Sequence, residues 1–157
     1  MKLGILSDSH DNLAKIEKAV RFFNKNKVDF VFHAGDFISP FIIPKLKNLS
    51  CDWRGVFGNN DGEKSGLLRI SEGRIKRGPL KIKLADKKII LAHDINTIKP
   101  KLENVHLIIF GHSHKPEIIK EHNKLIINPG ECGGWLSGRA TVALADLISL
   151  SGKIFEI

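Results

Sequence analysis

Five short apolar runs in this chain each end in a small polar cluster, and the clusters carry the same kinds of atom. They are Asp8-Ser9-His10, Gly35-Asp36, Gly58-Asn59-Asn60-Asp61, Ala92-His93 and Gly111-His112-Ser113-His114. A short apolar run bounded by turn residues reads as a buried strand. Open α/β sheets gather their functional side chains at the carboxyl ends of strands. Strands of this kind would therefore bring two carboxylates, one amide and four imidazoles to one edge of a sheet. That is enough for two divalent metal ions.

The first half alternates strand and helix. Lys2 to Leu6 is a strand by context, and Asn12 to Asn26 is a helix, with Leu13, Ile16, Val20 and Phe23 at helical spacing. Asp11 or Asn12 can cap it. Phe30-Val31-Phe32 is the second strand. Ser39-Pro40 can start a helix, while Pro44 calls for a kink or a later start. Trp53 to Phe57 is the third strand, and a short helix is expected around Leu67 to Ile70. This order implies a parallel sheet covered by helices. The second half reads as strands: 80–84, 87–91, 107–110, 118–121, 125–127, 140–145 and 153–156. Turn signals fall at Ala85-Asp86, His122-Asn123 and Ser151-Gly152. No repeat, low-complexity tract or linker interrupts the chain, so residues 1–157 are expected to form a single two-sheet α/β domain.

Each cluster has a plain reading beside the chemical one. Asp8, Ser9 or Asp11 can simply cap the next helix, and Gly35-Asp36 can be an ordinary turn. Gly58 to Gly62 has the composition of a turn in its own right. A lone His93 at a strand end is commonly structural. Two histidines at i and i+2 after a strand, His112 and His114, are harder to explain without a metal. The set weighs more than its members, because the five clusters supply complementary ligands at equivalent places. His33 lies inside a strand and reads as structural, and His106 and His122 read as surface or turn residues. Asn128-Pro129-Gly130 reads as a turn near the site, and Trp135 as a loop-packing or surface residue. Glu131 and Cys132 have no chemical role on this reading.

Composition sets outer limits. Apolar content of 42% and charged content of 27% describe a globular protein. No apolar run approaches the roughly 20 residues of a membrane helix, and residues 1–8 carry no signal-peptide pattern. Cys51 and Cys132 are the only cysteines and are too few for a disulfide scaffold. A cytoplasmic location is expected. The net charge of +8 comes from scattered lysines. Such a surface attracts phosphorylated small molecules or nucleic acid, but no basic cluster is interleaved with aromatics, so a nucleic-acid partner is not indicated.

Taken in order, the motifs resemble the calcineurin-like metallophosphoesterase superfamily, whose pattern runs Asp-x-His, Gly-Asp, Gly-Asn-His-Glu/Asp, His and Gly-His-x-His. All five blocks occur here between residues 8 and 114. The short chain, Gly58-Asn59-Asn60-Asp61 and Asn128-Pro129-Gly130-Glu131 are most similar to its small prokaryotic phosphodiesterases. The resemblance implies a four-layer α/β/β/α sandwich of two mixed sheets flanked by helices. It implies a first metal on Asp8, His10, Asp36 and His114, and a second on Asp36, Asn59, His93 and His112, with Asp36 bridging. Manganese heads the expected metals, with nickel, iron and zinc as alternatives. The implied reaction is attack on a phosphodiester by a hydroxide held between the two ions, on a small-molecule substrate. No membrane partner is implied, and a homodimer is allowed. Other readings are a protein-interaction scaffold on the same fold and a nuclease acting on polynucleotide.

Two positions depart from the family pattern. Asn60 stands where relatives often carry a phosphate-contacting histidine, so Asn60 is expected to touch substrate without supplying a proton. Asp94 follows His93 where glycine is usual; it either caps a short turn or crowds the second metal.

Overall fold

The computed structural model describes residues 1–98 and 104–157. Six strands form the first sheet: β1 (Lys2–Leu6), β2 (Phe30–His33), β3 (Asp52–Val56), β4 (Ile75–Lys76), β10 (Thr141–Asp146) and β11 (Ser151–Glu156). Their order is β11-β10-β1-β2-β3-β4, with β1 through β4 parallel. The second sheet contains β5 (Leu80–Leu84), β6 (Lys87–Leu91), β7 (Leu107–Ile109), β8 (Glu117–Glu121) and β9 (Lys124–Asn128), in the order β5-β6-β7-β9-β8. Strands β6, β7 and β9 are parallel and the two edge strands antiparallel. Three helices, α1 (Leu13–Lys25), α2 (Ile43–Leu46) and α3 (Lys64–Ile70), accompany the first sheet. Two mixed sheets flanked by helices are the expected architecture.

Side-chain alternation builds this layering. Leu3 and Ile5 of β1, Phe32 of β2, Ile89 and Leu91 of β6, Leu107 and Ile109 of β7, and Leu125 and Ile127 of β9 share the core between the sheets. The intervening residues face outward, and Leu6 and Val31 meet Ile16, Val20 and Phe23 of α1. Both faces of these strands are thus buried, which is why their sequences read as continuous apolar runs. Each fully buried large apolar side chain stabilises the fold by about 1.5–3 kcal/mol. On the far side of the second sheet, Ile90, Val105 and Ile108 form a smaller cluster with Ile98 and Ile126. Among the described residues no α-helix lies in the segment from β5 to β9 that builds this sheet.

Several local expectations are refined. Asn12 is the cap of α1, its side-chain oxygen accepting from the Lys15 N–H at 3.2 Å. Residues 40–46 combine both expected starts, a 3-10 turn at Pro40–Ile42 running into α2 with Pro44 in its first turn. Strand β4 was not anticipated, because two residues carry no readable period. The Ser151-Gly152 signal is corrected: both residues lie inside β11. The chain turns before them, where Leu150 adopts a positive φ of 49°.

That turn is pinned by Asp146. Its carboxylate accepts from the backbone N–H of Ser149 at 2.8 Å and from that residue's hydroxyl at 3.0 Å, and pairs with the N-terminal amine at 3.3 Å. The Ser149 N–H, helped by its hydroxyl and the amine, holds the Asp146 carboxyl down at about 2, against an ordinary 3.8. A depressed folded-state value stabilises the protein above the unfolded pKa and ceases to do so as pH falls through the folded one. The melting-temperature gap between wild type and Asp146→Asn is therefore expected to be full near neutrality and to close between about pH 4 and pH 2. A gap independent of pH across that window would remove the carboxylate from the account.

Candidate metal centre

All five polar clusters leave the carboxyl ends of parallel strands: β1, β2 and β3 in one sheet, β6 and β7 in the other. Because the sheets face one another, their loops converge. The backbone is bent to achieve this: Asp8, His10, Asp36, His112 and His114 all adopt positive φ, between 44° and 67°. Non-glycine residues in this region cost roughly 1–3 kcal/mol each and persist only where surrounding structure imposes them. Here the loops are laced together. The Asp8 N–H donates to the Gly35 carbonyl at 2.9 Å, and those of Ser9 and His10 to the Asp36 carbonyl at 3.1 Å. The Gly111 N–H donates to the His93 carbonyl at 2.9 Å. Gly35 has a φ of 103°, and a Cβ there would sit 2.7 Å from His93 Nδ1. A Cβ on Gly58 would collide with the Asp36 carboxylate.

The seven candidate side chains form two adjoining groups. In the first, Asp8 Oδ1 lies 3.5 Å from His114 Nε2 and 3.9 Å from His10 Nε2, and Asp36 Oδ2 lies 3.6 Å from His10 Nε2. In the second, Asp36 Oδ2 is 3.5 Å from His93 Nε2. Asn59 Oδ1 is 2.7 Å from that nitrogen and 2.9 Å from His112 Nδ1. Ligand atoms bound to one ion at about 2.0–2.2 Å stand roughly 3–4 Å from one another, the spacing seen in the first group. In the second, Asn59 draws His93 and His112 in to hydrogen-bond length. Asp36 Oδ2 faces both groups and links them.

The chemistry of the donors fits a cation. Asp8 and Asp36 are buried, at 0% and 1% exposure, and a buried carboxylate is costly without a counter-charge. Burial pushes the Asp8 carboxyl up; the Ser7 hydroxyl, His93 and His114 oppose the rise, and Asp36 adds to it. Asp8 Oδ1 and His10 Nε2 are buried with no hydrogen-bond partner. His93 Nδ1 lies 2.9 Å from the Ala34 carbonyl, an acceptor, so Nδ1 carries the proton. In the neutral ring Nε2 then turns a lone pair toward Asn59 Oδ1 and Asp36 Oδ2. Converging lone pairs of this kind need a proton or a metal ion between them, and the residues present suit the metal.

Other residues brace the candidate ligands. Asn60 donates to Asp36 Oδ1 from its backbone N–H at 2.8 Å and to Oδ2 from its side chain at 2.7 Å. Asp61 accepts from the Ile38 and Gly58 N–H groups at 2.8 and 2.7 Å, tying two clusters together. His33 is buried and structural as expected: Nδ1 accepts from the Gly35 N–H at 3.2 Å, and Nε2 lies 2.9 Å from the Ser9 hydroxyl. Burial, then the nearby His93 and His10, hold its pKa well below the ordinary value. Asp94 takes the plain reading, capping the Ile95–Thr97 turn by accepting from the Asn96 N–H at 2.9 Å. Both cysteines are free thiols, and burial pushes Cys132 up to about 12.

The sequence reading missed two supports. Asn128 donates to the Gly111 carbonyl and to the Ser113 hydroxyl, each at 2.9 Å, and so holds the loop bearing His112 and His114. Glu131 is fully buried. It accepts from the backbone N–H groups of Trp135 and Leu136 on Oε1 at 2.7 and 3.0 Å, and from the Ser137 N–H and hydroxyl on Oε2 at 2.8 and 2.7 Å. Burial works to raise the Glu131 pKa, but these donors outweigh it and hold the carboxyl at about 2. Oε1 also stands 3.6 Å from His114 Nδ1. The only sequence signal was a single acid among small and apolar residues.

Residues 1–149 match the family model of the calcineurin-like phosphoesterase superfamily domain. The chain belongs to the calcineurin-like phosphoesterase superfamily. It is 38% identical over 156 residues to phosphodiesterase MJ0936 of Methanocaldococcus jannaschii, covering 93% of each chain. Its fold matches the solved structure of an archaeal phosphodiesterase with a TM-score of 0.89 at 31% identity, over the whole of both chains. Vps29 of Entamoeba histolytica shares the phosphoesterase fold at 20% identity, with a TM-score of 0.70 over 100% of this chain and 98% of that one. No helix among the described residues is long and apolar enough to cross a membrane.

Proposed function

We propose that this calcineurin-like phosphoesterase is a metal-dependent phosphodiesterase, with residues 1–157 acting as one catalytic domain on a small-molecule diester. The observation that carries the reading is the convergence of ligand atoms of Asp8, His10, Asp36, His93 and His114, with Asp8 Oδ1 and His10 Nε2 buried and unpartnered among them, at the strand ends where the family's motifs fall. The relationship to a protein named as a phosphodiesterase supports the reaction class.

In this reading Asp8, His10, Asp36 and His114 hold one divalent ion, and Asp36, Asn59, His93 and His112 hold the other. Manganese is the preferred metal, with nickel, iron and zinc as alternatives. When bound, the ions supply positive charge at the phosphoryl oxygens and a water acidic enough to attack near neutral pH. Asp36 is shared between the positions, and its orientation is fixed by two donors from Asn60. Asn60 keeps one side-chain N–H for a phosphoryl oxygen. Its amide has no proton to give a leaving group, so the enzyme favours diesters with good leaving groups. All seven ligands come from one chain, so a homodimer would not be needed to complete the site. Two free thiols accord with a cytoplasmic setting.

The test is hydrolysis of bis(p-nitrophenyl) phosphate by metal-stripped protein, titrated separately with manganese, nickel, zinc and magnesium. Metal-restored turnover well above that of the matching monoester is expected. Two bound ions with no turnover would favour a scaffold on this fold, as would failure to retain metal. Asn60→His is expected to raise turnover of a diester with a poor leaving group by roughly 10²-fold, the lower end of general acid catalysis. The activated diester should gain little. An equal gain on both would discard the leaving-group argument.

A further inference from the structure

A groove of about 300 Å³ opens beside the second metal position, lined by Asn59, His93 and His112 from the candidate ligand set and by Lys64 and Arg77. Lys64 begins α3, and Arg77 follows β4. Both are exposed, and among the described residues neither forms an ion pair with a carboxylate. This sets them apart from Lys45, Lys47, Arg54 and Arg74, whose charges are each taken by a neighbouring acid. Among the described residues the one acid lining the groove is Asp94, which accepts from the Asn96 N–H and side-chain amide at 2.9 and 3.0 Å and points to no cation. Two cations with no ion-pair partner among the described residues therefore share a small groove with the site of diester cleavage, where they outnumber the Asp94 carboxylate.

We propose that this groove binds a second phosphate group of the substrate, a terminal monoester held by Lys64 and Arg77 while the diester lies at the metals. The inference rests on the phosphodiesterase reading and narrows its substrate class to diesters that also carry a phosphate monoester. A diester has one negative charge, and the metal positions already supply cations for it. A phosphate monoester is nearly dianionic at neutral pH, which matches two free cations. Arginine's planar fork takes two phosphate oxygens at once, and lysine adds a point charge. The volume lies at the lower end of small-ligand sites, enough for a phosphate and a sugar-sized group.

The experiment compares thymidine 5′-(p-nitrophenyl phosphate) with the same compound carrying a 3′-phosphate, using manganese-loaded protein. Wild type is expected to favour the 3′-phosphorylated substrate by roughly tenfold or more in kcat/KM. The preference should shrink as salt screens the exposed cations, and should approach unity in the Lys64→Ala, Arg77→Ala double variant. Equal kcat/KM in wild type, or a preference that survives in the double variant, overturns the proposal while leaving the phosphodiesterase reading in place. Failure to cleave either compound with any metal counts against that reading instead. Calorimetric titration of metal-stripped protein with thymidine 3′,5′-bisphosphate then decides the groove alone. Binding that is lost in the double variant supports it, and no binding, or equal binding by the variant, refutes it.

Discussion

Replacing Asp36 by alanine is expected to lower metal-restored cleavage of bis(p-nitrophenyl) phosphate by roughly 10³-fold, the scale on which removal of a preorganised electrostatic group acts. Its carboxylate stands between the two candidate groups, with Oδ2 3.6 Å from His10 Nε2 and 3.5 Å from His93 Nε2. The neighbouring buried acid, Asp8, already faces His10 and His114, and its second oxygen accepts from the His112 N–H at 3.1 Å. The loss should extend to binding. Equilibrium dialysis against manganese is expected to show fewer ions per chain in the variant than in wild type. Full activity with full metal content would end the bridging role of Asp36. Loss of activity with full metal content would shift its role from ligation to orientation, through its contacts with Asn60.

The second large effect concerns Glu131. Hydrogen bonds to a charged group are worth about 1.5–3 kcal/mol each, and this buried carboxylate gathers donors from three successive residues of one loop. The contributions are not additive, because the loop relaxes as a unit. Glu131→Ala is therefore expected to destabilise the protein by about 3 kcal/mol, which lowers the melting temperature by roughly 10 °C in a chain of this size. The same substitution removes the carboxylate beside His114 Nδ1, whose other nitrogen faces Asp8. Outer partners of metal-ligating histidines typically account for 10–100-fold in metal affinity, so manganese should bind about that much more weakly. Glu131→Gln separates the two effects. It keeps an oxygen for the histidine but turns an NH2 group toward donors that need an acceptor. Metal affinity should recover more than stability does. A variant that loses stability with unchanged metal affinity would confine Glu131 to holding its loop.

The two effects differ in how readable they were. Asp36 was legible in the chain because Gly35-Asp36 directly follows an apolar run and is one of five such clusters with complementary side chains. Short apolar runs marked β1, β2 and β3, helical spacing marked α1, and the polar clusters after those strands marked the candidate ligands. These are local signals, carried by residues that touch within a few positions of one another. Strand β4, the turn at Leu147 to Leu150 and the role of Asp146 carried no such signal.

What the sequence determined by itself was therefore the strand–helix alternation, the membership of the candidate ligand set and the order in which its members arrive. Tertiary structure alone decided which candidate ligands stand together and what surrounds them. His93 and Asn59 meet at 2.7 Å across 34 residues and from different sheets. His112 reaches Asp8 across 104 residues, and Glu131 approaches His114 from a separate loop. Lys64 and Arg77 likewise came to one groove from unrelated segments. The physical reason is that local pattern encodes which face of an element is buried, whereas pairings between loops follow from how two sheets stack. Stacking is fixed by the shared core of Leu3, Ile5, Phe32, Leu91, Ile109 and Ile127, whose side chains say only that they must be buried together.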